Sequence, residues 1–142
     1  MKVLSLTEPY ATLIKIGIKH VETRGWKTNY RGMLYIHASS TKISKDDRNN
    51  ADLMSLVGAN ELSYGNIICS CELVDCVEMT DAFIEEIKKN ENEYISGLYE
   101  TGRYAWILED VRVLDRSIKA KGHLGIWNFD ETSFDIKEES HV

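Results

Sequence analysis

A short polar segment near the N-terminus carries the residues best placed to do chemistry. Lys19, Glu22 and Arg24 follow closely after Gly17. If Glu22 and Arg24 lie on a β-strand, their side chains share one face, because alternate residues of a strand point the same way. A carboxylate and a guanidinium on one face can pair and fix each other's geometry. With a mobile Lys19 ammonium in the preceding loop, they would offer donors and one acceptor to a nucleobase edge or a phosphate.

The same residue types also suit a surface salt bridge, which stabilises a fold by at most about 1 kcal/mol. Cys69, Cys71 and Cys76 fit neither a disulfide framework nor a tetrahedral metal site. We expect buried free thiols, with Cys69 and Cys71 on one face of a strand and Cys76 on the other. The sequence holds no phosphate-binding glycine loop, no zinc-ligand spacing and no nucleophile elbow. It therefore predicts no metal and no cofactor.

The surrounding segments predict an α+β fold of about six strands and three helices. Strands are predicted at 3–6, 33–38, 66–79, 104–109, 111–114 and 122–129, with an extended segment reaching Arg24. Helices are predicted from an N-cap at Thr7 to Gly17, over 44–57 from Ser44, and over 81–89 from Thr80. Residues 90–101 are predicted to be loop. Because strands and helices do not alternate regularly, the pattern favours a mixed or barrel-like α+β domain over a doubly wound one.

Length and hydropathy predict one domain outside the membrane. The 142 residues make about one domain, which we expect over 1–130, followed by an acidic, frayed tail over 131–142. No apolar run approaches the roughly 20 residues that cross a membrane. Glu8 and Pro9 interrupt an N-terminal apolar stretch that is already too short for a signal peptide. We therefore expect a cytoplasmic protein without a membrane partner, while the oligomeric state stays open.

Charge is distributed unevenly along the chain. The net charge of −6 argues, taken alone, against a general nucleic-acid binder. Residues 1–48, however, carry a net +5 and residues 112–123 a net +3, so the remainder carries −14. The two basic segments would form one positive face that attracts a polyanion if the sheet brings them together. Otherwise they are two unrelated solvated faces.

The polar segment and its flanks resemble the ASCH (activating signal cointegrator homology) domain, a branch of the PUA-like superfamily. Gly17, Lys19, Glu22 and Arg24 match the pattern Gly-x-Lys-x-x-Glu-x-Arg. Similar segments follow from Arg31-Gly32 to Ile36-His37-Ala38-Ser39, at Tyr104-Ala105-Trp106 and at Gly125-Ile126-Trp127, so the likeness covers about 3–129. The resemblance implies a small mixed β-barrel with helices packed around a cleft that this loop lines. It also implies a link to RNA or DNA binding.

The candidate ligand-binding residues extend beyond this loop. They are Glu8, Pro9, Lys19, Glu22, Arg24, Trp26, Lys27, Arg31, Ser39, Tyr104, Lys119 and Lys121. An exposed Trp26 would stack on a base, worth about 1–3 kcal/mol, or else would close the barrel. Trp106 and Trp127 are expected in the core, and His37 is expected to be partly buried with its polar atoms satisfied. At position 8 the family commonly has glutamine, and a carboxylate there would repel a phosphate or accept a hydrogen bond from a base.

Three functions remain open from the sequence. The first is binding of a nucleic acid, RNA before DNA, or of a nucleotide-derived or nucleoside-like ligand. The second is a small amidohydrolase-like enzyme acting on a modified nucleoside such as acetylcytidine, because a few bacterial relatives look like such enzymes. Those relatives use a lysine and a threonine in this loop; Lys19 matches the lysine, but Glu22 occupies the threonine position and Thr23 faces away. Lys19 and Glu22 would then form the catalytic acid–base pair. The third function is a protein-interaction module.

Overall fold

A curled six-stranded sheet forms an incomplete barrel in the computed structural model, which describes residues 1–130. The strands are β1 (Lys2–Leu6), β2 (Val21–Arg24), β3 (Gly32–Ala38), β4 (Asn66–Glu78), β5 (Tyr104–Lys119) and β6 (Ile126–Asn128). Their order in the sheet is β2-β5-β4-β3-β1-β6, with β1 and β3 parallel and the other pairs antiparallel. The predicted α+β class and barrel-like architecture are confirmed. The predicted acidic tail, 131–142, lies outside the described residues.

Five short helices occur in this part of the chain, where about three were predicted. They are α1 (Tyr10–Lys15), α2 (Lys45–Arg48), α3 (Ala51–Val57), α4 (Asp81–Lys88) and α5 (Glu91–Ile95). The helix predicted over 44–57 is two helices, because Asn50 caps a new one by accepting a hydrogen bond from Leu53 N. The segment predicted as loop over 90–101 contains α5, which Asn90 caps in the same way. Thr80 caps α4 as predicted.

None of the helices found in residues 1–130 is long and apolar enough to cross a membrane.

A buried carboxylate fixes the start of α1. The N-cap position belongs to Pro9, and the side-chain cap predicted at Thr7 is not formed. Instead Glu8 accepts hydrogen bonds from the backbone N and the Oγ1 of Thr12 at 2.8 and 2.6 Å, and from Ser63 N at 3.1 Å. The carboxylate thus takes over the capping role and ties the helix to the segment that precedes β4.

The strand β5 runs without interruption through a point where two strands were predicted. Asp110 adopts a φ of 54°, a conformation that aspartate tolerates better than most residues. Its carboxylate accepts a hydrogen bond from Arg112 Nε at 3.3 Å. The chain therefore bends at Asp110 and continues on the same edge of β4.

All three cysteines are buried and free, as predicted, but they share one core cluster. The pairing of β4 with β5 advances two residues, from Leu73 to Asp75, while it moves only one residue on β5. This bulge changes the alternation of side chains, so the prediction of Cys76 on the opposite face is wrong. Burial raises the pKa of the Cys71 thiol to about 12, which makes it a poor nucleophile.

The sheet buries side chains on both of its faces. Leu4 and Leu6 pack in the main core beneath α1, while Val3 packs with Trp127 on the other face. Trp106 and Trp127 are core residues, as predicted. Ser5 follows Val3 on the second face and pairs with His37 in the parallel register of β1 and β3.

Replacing Glu8 by alanine is expected to lower the free energy of unfolding by about 2–3 kcal/mol, because buried donors at the start of α1 lose their acceptor. Glu8→Gln keeps one side-chain oxygen and should lose less. Urea denaturation measures both, with the exposed Glu61→Ala as a control that stays within about 0.5 kcal/mol of the parent. A similarly small loss for Glu8→Ala would show that the carboxylate does not hold the helix.

Candidate functional site

The Lys19 ammonium is buried at the centre of the site, with the residue 0% exposed. Its Nζ donates hydrogen bonds to the carbonyl oxygens of Val21 at 2.6 Å and Ser96 at 2.5 Å, and lies 3.6 Å from Glu22 Oε1. Burial lowers the pKa of Lys19, while the charges of Glu22 and Glu93 oppose that shift. The expectation of a mobile, solvent-reaching ammonium is wrong. Lys19 is held in place and joins the start of β2 to the segment that follows α5.

Glu22 and Arg24 share one face of β2, as their spacing predicted. Arg24 Nε donates a hydrogen bond to Glu22 Oε2 at 2.8 Å, and Arg24 Nη2 donates one to the backbone oxygen of Ser5 at 2.9 Å. The guanidinium also lies 5.9 Å from the ring centroid of Trp106, within cation–π range. A guanidinium has five N–H donors, so within residues 1–130 three of them have no protein partner. The side chain is 22% exposed.

Glu93 on α5 holds the loop that carries Lys19. Its buried carboxylate accepts hydrogen bonds from the backbone N of His20 at 2.9 Å and of Val21 at 3.2 Å, and lies 3.0 Å from His20 Nδ1. Sequence reasoning missed Glu93 because its segment was predicted as loop. No local signal in the sequence points to it, because Glu93 lies 73 residues from its partner His20.

A cleft of about 310 Å³ opens beside this cluster and is called the first cleft below. Its volume is at the lower end of the range for small-molecule pockets. Lys19, Glu22 and Arg24 line it, together with the end of β1 and the segment 96–98. Arg103 also lines it and donates hydrogen bonds to Leu98 O at 3.2 Å and Thr23 O at 3.3 Å. The contribution of Arg103 was not predicted.

A second cleft, of about 430 Å³, adjoins the first and shares Ser5, Thr7 and Arg24 with it. Its other walls are the segment 39–41, which follows β3, and the segment 121–125, which precedes β6. Arg24 and Lys121 come from the two basic segments of the sequence. The fold therefore brings members of both segments to one groove.

A hydrogen-bond network fixes Ser5, which lines both clefts, and His37, which forms part of the floor of the second. His37 Nε2 lies 2.7 Å from Ala120 O, which can only accept, so Nε2 carries the proton and Nδ1 accepts from Ser5 Oγ at 2.9 Å. Trp127 Nε1 donates to the same Ser5 Oγ at 3.0 Å. Burial lowers the pKa of His37. His37 is therefore a buried, satisfied histidine, as predicted.

Seven of the predicted ligand-binding residues lie outside both clefts. Trp26 is 41% exposed, and its ring meets the Trp106 ring edge-on, with 4.7 Å between centroids. Arg31 bonds to backbone oxygens of its own turn. The seven are Glu8, Pro9, Trp26, Lys27, Arg31, Tyr104 and Lys119. Those that line a cleft are Lys19, Glu22, Arg24, Ser39 and Lys121.

Metal-binding residues do not cluster in the described chain. No group of three or more His, Cys, Asp or Glu side chains in residues 1–130 is arranged to hold a metal ion.

The chain matches known proteins over most of its length. The profile of the ASCH domain matches residues 4–118. Over 128 residues, the chain is 28% identical to "Activating signal cointegrator 1" of Homo sapiens and 27% identical to the protein of that name from Mus musculus. Each alignment covers 89% of this chain and 22% of the relative. The chain thus spans about a fifth of the length of the curated relatives it matches.

Acid is expected to destabilise the protein through His37. The folded state disfavours the protonated imidazole, because its pKa is lowered from 6.5 by burial. The contribution of the neutral His37 imidazole to the free energy of unfolding is complete above about pH 6.5 and is lost as the pH falls below that value. Urea unfolding of the parent and of His37→Gln at about pH 7.5 and about pH 5 measures the effect. The variant should show the smaller pH dependence, and equal dependence would contradict the assignment.

Proposed function

We propose that this chain, which belongs to the ASCH domain family, binds single-stranded nucleic acid, RNA in preference to DNA, or a nucleotide-derived ligand through the first cleft. The observation that carries the proposal is the state of Arg24. Its bonds to Glu22 and to Ser5 O hold the guanidinium on the wall of the cleft. They leave three N–H donors without a partner in the described part of the chain, on a residue that lines the cleft.

The neighbouring groups suit the edge of an unpaired base. Glu22 Oε1 lies 3.6 Å from Lys19 Nζ and keeps acceptor capacity, so the cleft wall presents an acceptor beside the donors of Arg24. Proteins read single-stranded RNA by hydrogen bonds of this kind to exposed base edges. A cleft of about 310 Å³ accommodates a base that has left its stack and excludes an intact duplex.

The electrostatics favour a one-sided binder. Lys19, Arg24 and Arg103 supply three cations at the first cleft against the single carboxylate of Glu22, and Lys121 adds a fourth cation at the adjoining cleft. The chain as a whole carries −6, so surfaces away from the clefts repel a polyanion while the clefts attract it. Such a protein would bind its nucleic acid in one orientation. We further propose that this binding takes place in the cytoplasm.

Fluorescence anisotropy with labelled single-stranded RNA of about 12 nucleotides tests the proposal. Arg24→Ala should weaken binding at least about tenfold, because it removes charge-assisted hydrogen bonds. Affinity should also fall between about 50 mM and about 200 mM salt as phosphate contacts are screened. The matching DNA strand and an RNA duplex, run in parallel, should bind more weakly.

Arg112→Ala is the matched control, because Arg112 belongs to the second basic segment but is exposed and lines neither cleft. It should change the affinity less than about twofold. Circular dichroism confirms that both variants fold. Absence of binding at low salt, or equal weakening by the two substitutions, would overturn the cleft as the binding site.

Hydrolysis of an amide on a modified nucleoside such as acetylcytidine is the second candidate function. The observation in its favour is the lowered pKa of Lys19, which lies 3.6 Å from Glu22 and would serve as a base. Under this function Lys19→Arg should abolish turnover, since a guanidinium does not give up its proton. The turnover is measured as the release of acetate from acetylcytidine. Turnover that survives in both Lys19→Arg and Glu22→Gln would exclude these roles.

A further inference from the structure

We propose that the second cleft is a phosphate-binding site. Its ligand would be a phosphorylated nucleotide, or a strand whose phosphodiester lies next to the base held in the first cleft. The identity of the base-bearing ligand rests on the proposed function. The phosphate site rests on the residues of the second cleft alone.

The charge of the second cleft differs from that of the first. Among the described residues that line it there is no aspartate and no glutamate, whereas Arg24 and Lys121 both contribute positive charge. Glu22 lies in the first cleft, where it pairs with Lys19 and Arg24. An anion entering the second cleft therefore meets cations and no lining carboxylate.

Hydroxyl donors complete this lining. Ser39, Ser40 and Thr41 form one wall. Ser39 N donates to Leu6 O at 2.8 Å, and Ser39 Oγ accepts from Thr41 N at 3.1 Å, which fixes the segment against β1. Having used its oxygen as an acceptor, the Ser39 hydroxyl still carries a hydrogen to donate. Arginine, lysine and serine or threonine hydroxyls are the groups that contact phosphate oxygens.

The hydroxyl of Ser5 is excluded from this donor set. It donates its hydrogen to His37 Nδ1 and accepts from Trp127 Nε1. With its hydrogen committed, Ser5 serves as floor rather than as ligand. The donors that remain converge from three walls: Arg24 on β2, the hydroxyls after β3, and Lys121 before β6.

Close packing fixes where Lys121 stands. A Cβ added at Gly122 would lie 2.9 Å from His37 Cε1 and 3.0 Å from Ser5 Oγ, so the backbone there touches the floor of the cleft. On the other side of Lys121, His37 Nε2 donates a hydrogen bond to the carbonyl oxygen of Ala120. The lysine is thus anchored on both sides of its backbone, and only its side chain is free to reach an anion.

Arg24 links the two subsites, since it lines both clefts. Two edges of a guanidinium can serve different acceptors, because its N–H groups point in fixed, divergent directions. A base in the first cleft and its neighbouring phosphate in the second would share this residue. Loss of Arg24 should therefore weaken the binding of both the base and the phosphate. Loss of Lys121 should weaken the binding of the phosphate alone.

Calorimetric titration with the four nucleosides, their 3′- and 5′-monophosphates, dinucleoside monophosphates and inorganic phosphate tests the proposal. A phosphate should raise the affinity about tenfold over the nucleoside, as charge-assisted hydrogen bonds do. Lys121→Ala should remove this gain and leave nucleoside binding unchanged. It should also lower the salt slope of RNA binding by about one. In amide NMR spectra, inorganic phosphate should shift Gly122 and Gly125.

Arg116→Ala is the matched control, because Arg116 belongs to the same basic segment as Lys121, is exposed and lines neither cleft. It should keep the phosphate gain. Gly122→Ala, which displaces the anchored backbone, should reduce the gain without removing any charge. A gain seen with dinucleoside monophosphates identifies a strand as the ligand, and a gain confined to terminal phosphates identifies a free nucleotide.

The outcomes separate this proposal from the proposed function. If nucleosides bind through Arg24 but phosphate adds nothing, or if the gain survives Lys121→Ala, the phosphate site is overturned and the proposed function stands. If inorganic phosphate binds in a Lys121-dependent way while neither nucleosides nor RNA bind, the phosphate site stands and the proposed function fails.

Discussion

The buried ammonium of Lys19 is the constraint on which the site depends. A charge removed from water is tolerated only where its donors meet acceptors, so the backbone oxygens of Val21 and Ser96 and the carboxylate of Glu22 must converge on it. Once Glu22 is held in this way, its second oxygen orients the Arg24 guanidinium. The hydrogen bonds and ion pairs therefore run outward in a series, from the buried Lys19 through Glu22 to the partly exposed Arg24, and each group holds the next in place.

The second face of the sheet organises the site from the other side. The parallel register of β1 and β3 places Ser5 beside His37, and Trp127 on β6 closes the group. Through Ala120 the same histidine holds the segment that carries Lys121. Two polar networks on different parts of the sheet thus meet at Ser5, one through its backbone oxygen and one through its hydroxyl.

The local features of the site could be predicted from the sequence, and the distant ones could not. The period of a strand predicted that Glu22 and Arg24 pair, and short apolar segments predicted β1, β3 and the burial of Trp106. The burial of Lys19 was unpredictable because Ser96 and Glu93 lie 77 and 73 residues from their partners. The bulge between Leu73 and Asp75 leaves no signature in the sequence, yet it brings Cys76 to the same core cluster as Cys69 and Cys71. The convergence of Arg24 with Lys121 is likewise a property of the folded sheet.

The position of the clefts in the sheet has a mechanical consequence. β2 is one edge of the sheet, and β1 lies next to the other edge strand. Between β2 and β1 the barrel is joined by a side chain, the Arg24 bond to Ser5 O, and not by a ladder of backbone bonds. Separating β2 from β1 would break side-chain contacts and leave the backbone hydrogen bonds between neighbouring strands of the sheet intact. The Arg24 guanidinium thus has two roles, because the group that links β2 to β1 is also the group that a ligand would engage.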